Sequence, residues 1–143
     1  MATTASIDHF ANIPKVLSTF AEGHAEICKT GLDNTLHHLV KLRASQMNNC
    51  AYCVKMHIAE ARKDGETQQR LERLMVWRHV DDFSAAERAA FAWTEALTKL
   101  EDHQDLTGLR QELQQHFSDA EISSLTAAVA MINLWNRIGV SNH

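Results

Sequence analysis

The sequence predicts an all-α protein, a bundle of about seven helices forming a single domain over residues 1–143. Three observations carry this. Five Gly and one Pro in 143 residues are far fewer than the roughly seventeen that average usage supplies. The tight turns of an all-β chain would need those residues. Capping residues and isolated breakers divide the chain into long segments, and within them apolar residues recur at helical spacing.

Each element has its own signal. Pro14 suits the first turn of a helix reaching about Thr30, with Gly31 as its stop. Asp33 or Asn34 caps the next, whose Leu36, Leu39, Val40 and Met47 share a face. Asn48 and Asn49 interrupt it, and a helix from about Cys50 to Asp64 follows, ending at Gly65. A short helix is expected from about Thr67 to Trp77. Ser84 with Glu87 forms a capping box that opens a long amphipathic helix to about Glu101. Leu109, Leu113 and Phe117 fit a shorter helix. Ser118 with Glu121 is a second capping box, opening a helix from Ile122 to about Ile138. Its middle is apolar nearly all round, as for a helix central to the fold or buried between subunits.

Composition narrows the function classes. Fourteen Lys and Arg against eighteen Asp and Glu give a net charge of -4, and no basic run offers a surface for nucleic acid. The longest apolar stretch, near residues 125–135, is too short for a bilayer and contains Asn133. No basic, then apolar, export signal opens the chain, so a cytoplasmic protein is expected. Three cysteines, two of them in a CxxC, then point to redox or metal chemistry.

The informative run is Cys50-Ala51-Tyr52-Cys53-Val54-Lys55-Met56-His57. On a helix, positions 50, 53 and 57 fall within a sector of roughly 60°, so two sulfurs and an imidazole converge. Cys50 is expected in the first turn, where unpaired N–H groups favour a thiolate. His57 would take a thiol proton or protonate a departing oxygen. Two other readings stand beside this: two cysteines merely packed in a helix, and a zinc site of Cys50, Cys53 and His57 completed by His38 or another histidine. Cys28 has no cysteine at useful spacing and reads as a buried structural residue.

With its surroundings, this run resembles the alkyl hydroperoxidase D-like branch of the carboxymuconolactone decarboxylase family. The resemblance rests on residues 39–53 (LVKLRASQMNNCAYC) through His57, then Glu60-Ala61-Arg62, Gly65-Glu66 and Trp77-Arg78. It continues at Phe83-Ser84, at residues 87–90 and 92–98, and at residues 132–137 (INLWNR). It implies an all-α fold, assembly as a trimer or hexamer, and peroxide reduction through a Cys50/Cys53 dithiol–disulfide cycle. Cys53 is then the attacking thiol, Cys50 the resolving one, and His57 the relay base. The dipole argument alone favours Cys50 as the nucleophile, so the two lines disagree. The decarboxylase branch lacks this cysteine pair, which argues against lactone decarboxylation.

One departure stands out. The family's relay usually has Glu twelve residues before the first cysteine, where this chain has His38. Histidine can act as a base near neutrality but lacks the carboxylate's charge, so His38→Glu is expected to preserve or raise peroxide reduction. Tyr52 stands where some members carry His, and Asn49 where Gly is frequent. Trp77, Trp93 and Trp135 are expected as core or interface anchors, Asn133, Asn136 and Arg137 as partners of buried polar groups, and Arg43 as partly buried and paired. His9, His24, His79, His103, His116 and His143 form no metal-spaced pair. The sequence therefore points to a hydroperoxide-reducing thiol enzyme without an organic cofactor or metal. Its electrons would come from a dithiol donor such as a lipoyl or thioredoxin-like protein. A zinc-binding protein and a non-catalytic redox-sensing oligomer are the alternatives.

Overall fold

In the computed structural model, which describes residues 4–143, the chain is all helical. Eight α-helices occur among the described residues: α1 (His9–Asn12), α2 (Pro14–Cys28), α3 (Asn34–Met47), α4 (Ala51–Lys63), α5 (Gln68–Arg73), α6 (Ala85–Lys99), α7 (Thr107–Gln114) and α8 (Asp119–Val140). A 3₁₀ segment, Leu74–His79, continues α5. The expected helix at residues 67–77 is thus two pieces, α5 and the 3₁₀ segment, and within the second Val76 leaves helical geometry at φ -117° and ψ 26°. One-turn α1 forms because the Asp8 side chain accepts from Ala11 N.

The caps form as expected. Asp33 accepts from Leu36 N, and both capping boxes, Ser84 with Glu87 and Ser118 with Glu121, are complete. Gly31 and Gly65 adopt positive φ of 86° and 96° beyond the ends of α2 and α4, geometry that a Cβ disfavours. No helix among the described residues is long and apolar enough to cross a membrane.

Helix α3 is central, packed against α4, α6 and α8. Leu39, Val40, Leu42, Ala44 and Ser45 are fully buried in it, and His37, His38 and Lys41 on its other faces are buried too. A helix covered all round is ordinarily apolar; this one carries polar groups inward, Lys41 towards Glu60 of α4, His37 onto His24 of α2 and Ser45 towards Asn136 of α8. Helix α8 is central within the chain, touching α2, α3, α4, α6 and α7. Its polar residues tie it to the end of α3. Asn48 donates to the side-chain oxygens of Asn133 and Asn136, each at 2.9 Å. Asn136 donates to Ser45 Oγ at 3.0 Å, and Arg137 donates to Asn133. This network fixes α3 against α8 immediately before the CxxC.

Candidate active site

The α3–α4 turn sets the site. Asn49 takes φ 54°, a left-handed conformation that Asn tolerates better than most residues, and Cys50 N donates to Ser45 O at 3.1 Å. Cys50 is the N-cap of α4, one position earlier than expected, because its backbone is extended at φ -85° and ψ 96°. Cys53 then lies within the first helical turn. Proximity to the helix N-terminus therefore no longer separates the two cysteines, and the dipole argument for Cys50 loses its force.

The sulfurs of Cys50 and Cys53 are joined in a disulfide. Both residues are buried, at 0% and 4% exposure, yet not equivalently. Cys53 lines a pocket of about 480 Å³ with Tyr52, Met56, Trp135, Ile138 and Gly139, whereas Cys50 lies against Gly139. Residues 7–10 close the other side of the pocket. They are clasped to the end of α8: Ile7 N donates to Asn142 Oδ1 at 2.8 Å, Asn142 Nδ2 donates to Ile7 O at 2.9 Å, and His9 Nε2 meets Ser141 Oγ at 2.9 Å. Trp135 packs edge-on against Phe20 of α2 at 6.2 Å, and Trp77 and Trp93 are buried in the core. Tyr52 is largely exposed.

On α3 and α4 lies a partly buried polar cluster, in which the sequence assigned no chemical role to Lys41, Glu60 or Asp64. His57, 2% exposed, meets Glu60 Oε2 through Nδ1 at 3.2 Å. Lys41 Nζ approaches the same oxygen at 3.6 Å. His38 is buried and meets Asp64 Oδ2 through Nε2 at 2.6 Å, so it is not a surface histidine. Asn34 donates to that same Asp64 oxygen. His24 and His37 stack at 6.3 Å. Glu60 and Lys41 each sit three residues from a recognised histidine, His57 and His38. The i,i+3 rule on each helix could have flagged both.

Carboxylates only accept hydrogen bonds, so His57 carries its proton on Nδ1 and His38 on Nε2. The remaining nitrogens, His57 Nε2 and His38 Nδ1, are the two buried side-chain polar atoms without a partner among the described residues. His57, neutral at pH 7, therefore keeps a lone pair on Nε2 inside the protein. Burial, then the Lys41 charge, lowers the His57 pKa to about 4, against the opposing hydrogen bond and charge of Glu60. Burial and Lys41 likewise lower His37 to about 4, helped by the neighbouring histidines. Burial pushes Glu60 up, but its bond to His57 and the Lys41 charge outweigh this and hold it below the usual value. His57 is thus a neutral base at pH 7 with its tautomer set.

Other expectations fare differently. Cys28 is exposed and unpaired, not buried, because it ends α2, a surface helix whose buried residue is Leu17. The zinc set of Cys50, Cys53, His57 and His38 is not assembled. The two sulfurs are bonded to each other, and among the described residues no three or more His, Cys, Asp or Glu are placed to hold a metal ion. Arg43 finds its partner in Glu95 at 2.8 Å, which also accepts from Trp77 Nε1 at 2.8 Å. Burial would raise Glu95, but bonds from Trp77, Arg78 and Arg43 prevail and keep it low. A cleft of about 440 Å³ beside this group contains no cysteine, and its Glu95 is already satisfied.

Comparison with known proteins agrees with this geometry. The family model for the carboxymuconolactone decarboxylase family matches residues 12–96. The uncharacterized protein YdfG of Bacillus subtilis is 34% identical over 113 residues, 79% of this chain and 77% of that one. The uncharacterized protein YnjA of Escherichia coli is 30% identical over 112 residues, 78% of this chain and 61% of that one. A crystal structure of a protein of unknown function from Agrobacterium tumefaciens, titled a candidate antioxidant defence protein AhpD, superimposes with a TM-score of 0.92. It is 35% identical, and the match covers 97% of this chain and 95% of that one. With the matched helices framing a buried CxxC disulfide, the chain belongs to the carboxymuconolactone decarboxylase family, in its alkyl hydroperoxidase D-like branch.

Proposed function

We propose that this protein is a thiol-dependent peroxidase, acting as one domain through Cys53, Cys50, His57 and His38. The observation that carries the reading is the Cys50–Cys53 disulfide at the foot of an apolar pocket. His57 stands one turn beyond Cys53 with an unpartnered Nε2. The resemblance of the site to the AhpD-like branch supports it.

In the reduced protein, His57 Nε2 accepts the Cys53 thiol proton. The thiolate attacks one oxygen of a hydroperoxide; the S–O bond forms as the O–O bond breaks, and the alkoxide leaves with the proton held by His57. The Cys50 thiol then displaces hydroxide from the Cys53 sulfenic acid, giving water and the disulfide. A dithiol donor, lipoyl or thioredoxin-like, returns two electrons and two protons. His38, bonded to Asp64 on one nitrogen and free on the other, is the second base of the relay. Assembly as a trimer or hexamer and a cytoplasmic setting belong to the same reading.

Hydroperoxide consumption with dihydrolipoamide or a thioredoxin system tests it. Wild type turns over repeatedly, Cys53→Ser loses turnover, and Cys50→Ser stops after one equivalent. Turnover retained in Cys53→Ser overturns the assignment. A single equivalent consumed by wild type would instead identify a redox sensor.

A further inference from the structure

Glu60 lies within the family resemblance but has no role assigned by it, yet it is the acid that touches His57. His57 and Glu60 are three residues apart on α4, and their bond is 3.2 Å long. Lys41 reaches the same carboxylate oxygen from α3 at 3.6 Å. The Lys41 side chain is only 7% exposed, whereas that of Glu60 is 44% exposed. A buried ammonium requires an anion at hand, and Glu60 is the carboxylate that Lys41 reaches. His38 cannot do the same for His57. Its Nε2 is directed to Asp64, and an imidazole has no negative charge to offer.

We propose that Glu60, kept anionic beside Lys41, is the positioning residue that fixes the tautomer of His57 and so takes over the carboxylate duty that position 38 has lost to histidine. The inference rests on the reading of Cys53 and His57 as thiol and base. The Glu60 oxygen holds the proton of Nδ1, so Nε2 is the nitrogen left to receive the Cys53 proton. Once it has done so, the imidazolium lies against a carboxylate, and the proton passes from Nε2 to the departing alkoxide while Glu60 stays charged. The ionisable groups around His57 are Lys41 and His38 on α3 and Glu60 on α4. His37, with His24 of α2 stacked on it, lies one layer out. Cys53 stands one turn before His57 on α4, with Asp8 and His9 across its pocket. Glu60 is the anion in that set with a hydrogen bond to His57.

The test uses the reduced protein carrying Cys28→Ser and Cys50→Ser, so that Cys53 is the one thiol. The rate of Cys53 alkylation by iodoacetamide is followed against pH, and the His57 tautomer is read from its ¹⁵N shifts. Glu60→Gln is expected to slow alkylation at pH 7 on the order of tenfold, to move the profile to higher pH, and to deplete the Nδ1–H tautomer. Glu60→Asp, which keeps the anion, is expected to restore most of both. An unchanged pH profile and tautomer in Glu60→Gln overturns the proposal. The measurement consumes no peroxide: a shifted profile in a protein without peroxide turnover would uphold Glu60 while refuting the peroxidase reading.

Discussion

Gly139 and Cys50 are in such close contact that a Cβ at position 139 would stand 2.9 Å from the Cys50 sulfur and 3.5 Å from that of Cys53. Real Cβ atoms do not come that near, so α8 fits against the redox turn only because residue 139 has no side chain. Gly139→Ala is expected to destabilise the oxidised protein by about 1–3 kcal/mol through overpacking, measured by urea unfolding. Gly108→Ala is the control. It meets nothing within 4 Å in helix α7 and is expected to stabilise by about 0.5–1 kcal/mol.

Thiol accessibility separates the three cysteines. Cys28 is free and exposed, while Cys50 and Cys53 are bonded and buried. A thiol reagent should therefore find one group per chain in the native oxidised protein, and three after reduction and unfolding. Mass mapping should place the first label on Cys28. Labelling of Cys53 before reduction would contradict the disulfide.

Geometry revises the expectation for His38→Glu. A carboxylate at position 38 would meet Asp64, whose oxygen now lies 2.6 Å from His38 Nε2, and two such groups cannot both ionise without cost. The single variant is expected to lose peroxide turnover and thermal stability. Adding Asp64→Asn should recover both, and the double variant should equal or exceed wild type in turnover. A single variant as active and stable as the double would show that Asp64 does not constrain this site.

Acid should weaken the fold through its buried histidines. His37 and His57 have folded pKa values lowered to about 4 from an unfolded value near 6.5. Between those values the unfolded chain binds more protons, so stability rises with pH across the window and is lost as pH falls from about 6.5 towards 4. Each histidine contributes a slope of up to about 1.4 kcal/mol per pH unit. Urea midpoints measured from pH 4 to 7 check this, and His37→Gln should flatten the curve by about one proton.

Much of this was readable from local rules. Pro14, Asp33 and the two capping boxes place helix starts because caps satisfy backbone N–H groups within a few residues of themselves. The Cys50–Cys53 pairing was legible because one helix turn brings the two sulfurs together. Cys28 was misread because helical periodicity tells which face a residue occupies, not whether another helix covers that face. Glu60, Lys41 and Asp64 escaped for a related reason. Each resembles an ordinary solvated charge, and its meaning arises only when α3 and α4 press their polar sides together. The Asn48–Asn133–Asn136 network spans over eighty residues of chain and has no short-range signature.

The clasp between Ile7 and Asn142 bears on how a buried disulfide can be reached at all. The segment over Cys53 is held by three hydrogen bonds to the end of α8, and one-turn α1 buries none of its residues. Releasing it leaves the α3–α4–α6–α8 core untouched. Opening of this segment is expected to cost a fraction of the free energy of unfolding and to widen access to Cys53. Hydrogen exchange should record this as fast-exchanging amides at residues 7–12 above slowly exchanging ones in α3.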